Sequence, residues 1–197
     1  MSSTRSSPKR DREPWPGPYV VIGMPGSGKT TVGKRLAKAL GVSFADTDHL
    51  IEVDQRSSIP EIFSSRGEDY FRDTEERIVA DALASATGVV SLGGGAIMRD
   101  ATRKRLHDFT VVHLTIGVAE GSRRSGGGNR PLLAGSDVLA RYQQLHTDRA
   151  PLYKEVSTIS VSTERRSTGK VVRELVEFLD PALATELAEE SNDDKHT

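Results

Sequence analysis

Tyr19-Val-Val-Ile-Gly-Met-Pro-Gly-Ser-Gly-Lys-Thr30 joins a short apolar run to a glycine-rich turn. Tyr19 to Ile22 are β-formers without alternating polarity, the pattern of a strand buried on both faces. From Lys29 to Leu40 the apolar residues Val32, Leu36, Ala37, Ala39 and Leu40 recur at helical spacing, and Gly41 supplies a stop. Gly23 to Thr30 thus match G-x-x-x-x-G-K-[ST] between a predicted strand and a predicted helix, the context this pattern requires. Glycines there let backbone N–H groups point into an anion-sized hollow at a helix N-terminus, whose partial positive charge favours phosphate. Lys29 then reaches the outer phosphates and the Thr30 hydroxyl ligates Mg2+. A nucleoside triphosphate and Mg2+ follow from this loop. Its use does not, because motors, GTPases and small-molecule kinases share the motif.

Further along, Val42–Ala45, Val89–Leu92, Thr110–Thr115 and Thr158–Val161 read as strands. Between and after them, helices are predicted over His49–Asp54 with Asp48 as cap, Ile59–Ser65, Glu68–Ser85, Arg99–His107, Val138–Tyr153 and Val171–Leu179. Gly121–Gly135, rich in glycine and arginine, reads as a loop. Strands alternating with helices imply a parallel sheet covered on both faces, with ligands at the carboxyl ends of the strands.

The 197 residues suit one compact domain. We expect it over residues 18–180, after a disordered segment at 1–17 and before a frayed polar tail at 181–197. Lys and Arg total 27 against 28 Asp and Glu, so the chain lacks the bulk charge of a general nucleic-acid binder. The absence of cysteine excludes disulfides, thiolate metal sites and cysteine nucleophiles. No apolar run approaches the ~20 residues that span a bilayer, and the start lacks a secretory signal. A soluble cytoplasmic protein is the expectation. The five histidines show no paired metal-ligand spacing and read as structural or surface residues; Trp15, alone in the opening segment, reads as incidental.

Candidates for the acceptor side lie after the other strands. Asp46 and Asp48 follow the second strand, where one carboxylate can serve the metal and the other an acceptor hydroxyl; a helix cap and a turn residue are the plainer reading. Gly93, Gly94 and Gly95 follow the third strand and permit backbone geometries closed to other residues. Arg72, near Phe71 and Glu75, suits a carboxylate fork, although Glu68 and Arg72 also make an ordinary i,i+4 pair. Arg149 offers a second cation. Arg123, Arg124 and Arg130 surround a glycine run that can close over a bound triphosphate, or simply form a basic loop.

Taken in order, these segments closely resemble shikimate kinases. The resemblance runs from about Val20 to Leu179. It rests on the phosphate loop, Asp46-Thr47-Asp48, Arg66-Gly67-Glu68 with Phe71-Arg72 and Glu75, Ser91-Leu-Gly-Gly-Gly-Ala96, Arg130-Pro131-Leu132-Leu133 and Arg149-Ala-Pro-Leu-Tyr153. It implies the three-layer α/β sandwich of P-loop NTPases, with a central five-stranded parallel sheet, a substrate-binding segment and a mobile lid at about 121–135. It also implies transfer of the ATP γ-phosphate to the 3-hydroxyl of shikimate, on the route to chorismate and the aromatic amino acids, by a monomer.

Position by position, the resemblance assigns Asp48 to the shikimate hydroxyls as the base. Arg72 and Arg149 take the carboxylate, and Gly93 to Gly95 line the pocket. Nucleotide contacts fall to Gly26, Ser27, Gly28, Lys29, Thr30 and Thr31. Asp46 supports Mg2+ through water beside Thr30. Arg130 is the lid arginine reaching phosphate and substrate, and Arg124 and Arg166 lie beside the adenine. Here the chain departs from the family, in which Asn-Pro often follows the later arginine; this chain has Ser167-Thr168. The competing readings are gluconate kinase or another small-metabolite kinase on the same scaffold, and a nucleotide-binding protein without turnover. The Arg72, Arg149 and triple-glycine set speaks against the first, and the complete set of catalytic groups against the second.

Overall fold

The computed structural model describes residues 17–125 and 137–185. Its strands are β1 (Tyr19–Gly23), β2 (Phe44–Asp46), β3 (Val89–Ser91), β4 (Val111–Thr115) and β5 (Ile159–Ser162). They form one parallel sheet in the order β2-β3-β1-β4-β5. Parallel neighbours require crossover connections, and helices supply them. These are α1 (Lys29–Leu40), α2 (Thr47–Gln55), α3 (Ile59–Ser85), α4 (Asp100–Leu106), α5 (Val118–Ser125), α6 (Val138–Val156) and α7 (Thr168–Leu179). The result is the three-layer α/β arrangement expected from the alternation of elements. Among the described residues, no helix is long and apolar enough to cross a membrane.

The side-chain alternation of β1 builds both layers at once. Val20 and Ile22 join Val90, Leu92, Leu106, Val111, Tyr142 and Tyr153 in one core, beneath α3, α4 and α6. Val21 faces the other way, into a core of Leu36, Val112, Leu114, Val171 and Leu175 with α1 and α7. A smaller cluster of Ile51, Ile62, Phe71 and Ile78 ties α2 to α3. Because every strand runs in the same direction, β1, β2 and β3 end side by side at Gly23, Asp46 and Ser91, and the loops that follow share one edge.

Three details differ from the sequence-based expectations, and one, the break at Gly67, agrees with them. Asp46, not Asp48, caps α2: its Oδ1 accepts from the Asp48 N–H at 3.1 Å, and the helix begins at Thr47. The two helices expected at 59–65 and 68–85 run end to end in α3, broken by Gly67 at φ 82°, ψ 174°. Helix α5 continues into the expected lid as far as Ser125, and the rest of that segment, with Arg130, lies outside the described residues. The frayed tail does not begin at 181. Residues 181–185 are helical, the Leu183 N–H donates to Asp180 Oδ1 at 3.0 Å, and Leu183 is buried against α1 and α7. An Asp followed by Pro at the first helical position is itself a start signal.

Candidate active site

Between β1 and α1 the chain folds into the expected anion cradle. Gly28, at φ 87°, occupies the left-handed position that starts α1, and Gly26 takes φ 80°. A Cβ at Gly26 would lie 2.8 Å from both the Gly121 carbonyl and the Ser125 hydroxyl, so α5 presses on the loop where a side chain would stand. Lys29 donates to the Met24 carbonyl at 3.3 Å, across the hollow. Ser27 is fully buried, and its hydroxyl has no hydrogen-bond partner. A buried polar atom without a partner costs roughly 1–3 kcal/mol, which a bound phosphate oxygen can recover. Thr31 is exposed in the first turn of α1, one residue beyond Thr30.

The Thr30 hydroxyl donates to Asp46 Oδ2 at 2.7 Å, linking the loop after β1 to the end of β2. Among the described residues, no group of three or more His, Asp and Glu could hold a metal. One hydroxyl and one carboxylate suit instead a hard cation that keeps water and phosphate oxygens as its remaining ligands, which fits Mg2+.

The acceptor side is built around the loop after β3. The Gly93 N–H donates to the buried Thr47 hydroxyl at 3.0 Å. A Cβ at Gly93 would collide with Asp48 Oδ1 and lie 2.7 Å from Glu75 Oε1; a Cβ at Gly95 would strike the Arg72 guanidinium. None of the three glycines has a positive φ, so the conformational freedom expected of them is not what the loop uses. Gly93 and Gly95 leave room for charged side chains arriving from α2 and α3, and Gly94 for the phosphate loop at Pro25.

Arg72 is nearly buried, with Nη1 2.5 Å from Glu75 Oε2. Its Nε and Nη2 both donate to Glu68 Oε1, at 3.2 and 3.1 Å. Glu75 is fully buried, whereas the Glu68 side chain is 51% exposed. Burial pushes the Glu75 carboxyl above its ordinary range, Arg72 pulls against that, and the neighbouring Asp48 adds to the push.

Arg149 arrives from α6 and is 3% exposed. Its Nη1 donates to the Gly94 carbonyl at 3.0 Å, its Nε has no partner, and no carboxylate of the described residues pairs with it. Glu75 lies near enough for Arg149 to pull its carboxyl down, but no close ion pair forms; a guanidinium withdrawn from water is costly, and an organic anion in direct contact relieves that cost. Arg72 and Arg149 both reach the Gly93–Gly95 loop, so the two cations the sequence could not join are joined by it.

Arg124 of α5 and Arg166, in the turn after β5, both donate to carbonyls at the end of β5 and the start of that turn. Arg124 pairs with Glu120 and donates to the Thr163 carbonyl at 3.5 Å. Arg166 donates to the Ser162 carbonyl at 3.2 Å and meets Glu174 at 2.5 Å. Where Asn-Pro was the expected sequence, Ser167 caps α7, its hydroxyl accepting from the Lys170 N–H.

Three contributors were missed: Thr47, which pins Gly93; Glu120, which holds Arg124; and Tyr142, whose hydroxyl donates to the Pro25 carbonyl at 2.8 Å. Glu120 and Arg124 carry a legible i,i+4 signal. Thr47 and Tyr142 act across 46 and 117 residues, beyond the reach of local pattern.

A phosphate cradle, an oxygen-donor pair beside it and a second pocket with two buried arginines on one sheet edge are the parts of a P-loop kinase for a small acceptor. Residues 25–180 match the family model described as shikimate kinase. The shikimate kinase of Mycobacterium ulcerans is 53% identical over 162 residues, covering 82% of this chain and 88% of that protein. Among solved structures, the shikimate kinase of Acinetobacter baumannii in complex with shikimate superposes with a TM-score of 0.79 at 33% identity, covering 82% of this chain and 92% of the other. The chain belongs to the shikimate kinase family, whose members are ATP-dependent phosphotransferases. A gluconokinase from Sinorhizobium meliloti has a TM-score of 0.51 at 21% identity, covering 92% of this chain and 99% of that one, and shares the fold alone.

Proposed function

We propose that this chain transfers the γ-phosphate of ATP to the 3-hydroxyl of shikimate, giving shikimate 3-phosphate and ADP. The observation that carries the acceptor's chemistry is Arg149, a buried guanidinium that makes no ion pair among the described residues, 3.0 Å from the glycine loop that Arg72 also touches. Shikimate's carboxylate supplies that ion pair. At Arg72 it takes the Nε–Nη2 edge now held by the half-exposed Glu68, while buried Glu75 keeps hold of Nη1. The carboxylate end is thereby anchored, and the ring hydroxyls are left to Asp48, whose Oδ1 approaches Gly93 in the same pocket.

On the donor side the N–H groups of Gly26 to Lys29 hold the phosphates, with Lys29 neutralising charge on the outer ones. Thr30 and Asp46 hold Mg2+, Asp46 through water. The ion withdraws charge from the phosphates when bound. Asp48 accepts the proton of the attacking hydroxyl as its oxygen bonds to phosphorus and the bond to the ADP oxygen breaks. Arg130, outside the described residues, takes in this reading the charge on the transferred group. Arg124 and Arg166 flank the adenine. The enzyme is a cytoplasmic monomer.

The direct test is an ADP-release assay with Mg2+ and ATP, offering shikimate and gluconate in parallel. Release with shikimate alone is expected. Release with gluconate alone transfers the pocket to the runner-up, and release with neither leaves a nucleotide-binding protein without turnover.

A further inference from the structure

Helix α6 reaches both loops of the site through tyrosine hydroxyls. Tyr142 donates to the Pro25 carbonyl of the phosphate loop at 2.8 Å, and Tyr153 donates to the Gly94 carbonyl of the glycine loop at 2.7 Å. Residues 142 and 153 stand eleven apart, about three turns, so both project from the same face of the helix. Neither ring is free to wander: both are fully buried in the core beneath the sheet edge. Tyr153 is also stacked on His113 of β4, with ring centroids 4.7 Å apart and planes inclined by 16°.

The two loops also touch each other. A Cβ at Gly94 would lie 3.3 Å from Pro25 Cδ and 3.4 Å from the Gly23 carbonyl. The loop that carries the phosphoryl donor and the loop that lines the acceptor pocket are therefore packed together, and one rigid helix fixes a carbonyl of each. Phenylalanine would fill nearly the same core volume, so what the hydroxyls chiefly add is these two hydrogen bonds.

We propose that Tyr142 and Tyr153 are positioning residues, whose hydroxyls tie the phosphate loop and the glycine loop to α6 and so set the spacing between phosphoryl donor and acceptor hydroxyl. The proposal rests on the site reading given above, in which Gly93–Gly95 line the acceptor pocket. A small error in that spacing is costly, because misplacement of reacting atoms by about 1 Å can lower a rate on the order of 10²-fold.

The test replaces each hydroxyl by hydrogen, in Tyr142→Phe and Tyr153→Phe, and measures saturating kcat, KM for each substrate, melting temperature and hydrogen exchange. Either variant is expected to melt within a few degrees of the unmodified enzyme and to lose about 10-fold or more in kcat. KM for ATP should rise only in Tyr142→Phe, and KM for shikimate only in Tyr153→Phe. Exchange should quicken at residues 24–28 in the first and 93–96 in the second. Unchanged kcat overturns the proposal, as does native exchange in both loops. A loss of kcat that merely follows the unfolded fraction overturns it too. Failure of the unmodified protein to phosphorylate shikimate would instead remove the functional reading; the exchange result still decides whether the hydroxyls hold the loops.

Discussion

Arg149 is the residue on which the acceptor's chemistry turns, because its buried guanidinium has an Nε without a hydrogen-bond partner and no ion pair among the described residues, and an anion satisfies both. Arg149→Met should weaken shikimate binding by roughly 10- to 100-fold, the scale of a charge-assisted hydrogen bond, and leave ATP binding unchanged in calorimetric titration. Equal losses for both ligands would place the residue outside the acceptor pocket. Asp48→Asn should keep the fold and nucleotide affinity and lose at least ~10²-fold in turnover, as expected for removal of a general base; near-native turnover excludes that role. His113 sets a different kind of dependence. Burial, helped by the nearby His146 and Lys29, lowers its pKa from 6.5 to about 4. A depressed histidine folds as the neutral ring, so its contribution to stability is full above pH 6.5 and is lost as pH falls from there through about 4. The melting temperature of the unmodified protein should fall over that window, and His113→Phe should flatten the fall. An unaltered profile in the variant assigns the acid sensitivity to other groups.

Among the elements, the loop after β3 shows how a polar site is fitted beside a close-packed sheet. Three side chains, Asp48, Arg72 and Glu75, converge where Gly93 and Gly95 have no Cβ. Gly95→Ala pushes on a guanidinium already held by Glu75 and Glu68. KM for shikimate should rise by about 10-fold, the scale of ~1.4 kcal/mol of lost binding, with KM for ATP little changed. An unaffected KM for shikimate would mean that Arg72 yields without cost. The elements themselves were largely legible in sequence: the apolar run Tyr19–Ile22, the helical spacing over Lys29–Leu40 and the Gly41 stop all appear where local physics puts them. So did the break near Gly67, which splits two helical patterns. What local pattern misjudged were short-range competitions, such as whether Asp46 or Asp48 caps α2, and a helix start at Asp180-Pro181 masked by a polar tail. Long-range pins such as Thr47 to Gly93 and Tyr142 to Pro25 had no sequence signal, because they exist only once the sheet order brings the loops together.

At the scale of the whole molecule, a chain of net charge −1 gathers Lys29, Arg72 and Arg149, together with Asp46, Asp48 and Glu75, around one edge of its sheet. That edge exists because β1 is central and parallel to both neighbours, which aligns the ends of β2, β1 and β3. Both substrates are anionic, and a chain of nearly balanced total charge offers them no strong bulk field. Gel filtration should give one species near the chain mass of 21.4 kDa, with or without ligands; a larger species would call for a partner copy. The most direct test is a crystal structure with shikimate and an ATP analogue bound together. The shikimate carboxylate should lie on the guanidinium groups of Arg72 and Arg149, with the 3-hydroxyl between Asp48 and the γ-phosphate. Finding both guanidinium groups turned away from the bound acid would contradict the account.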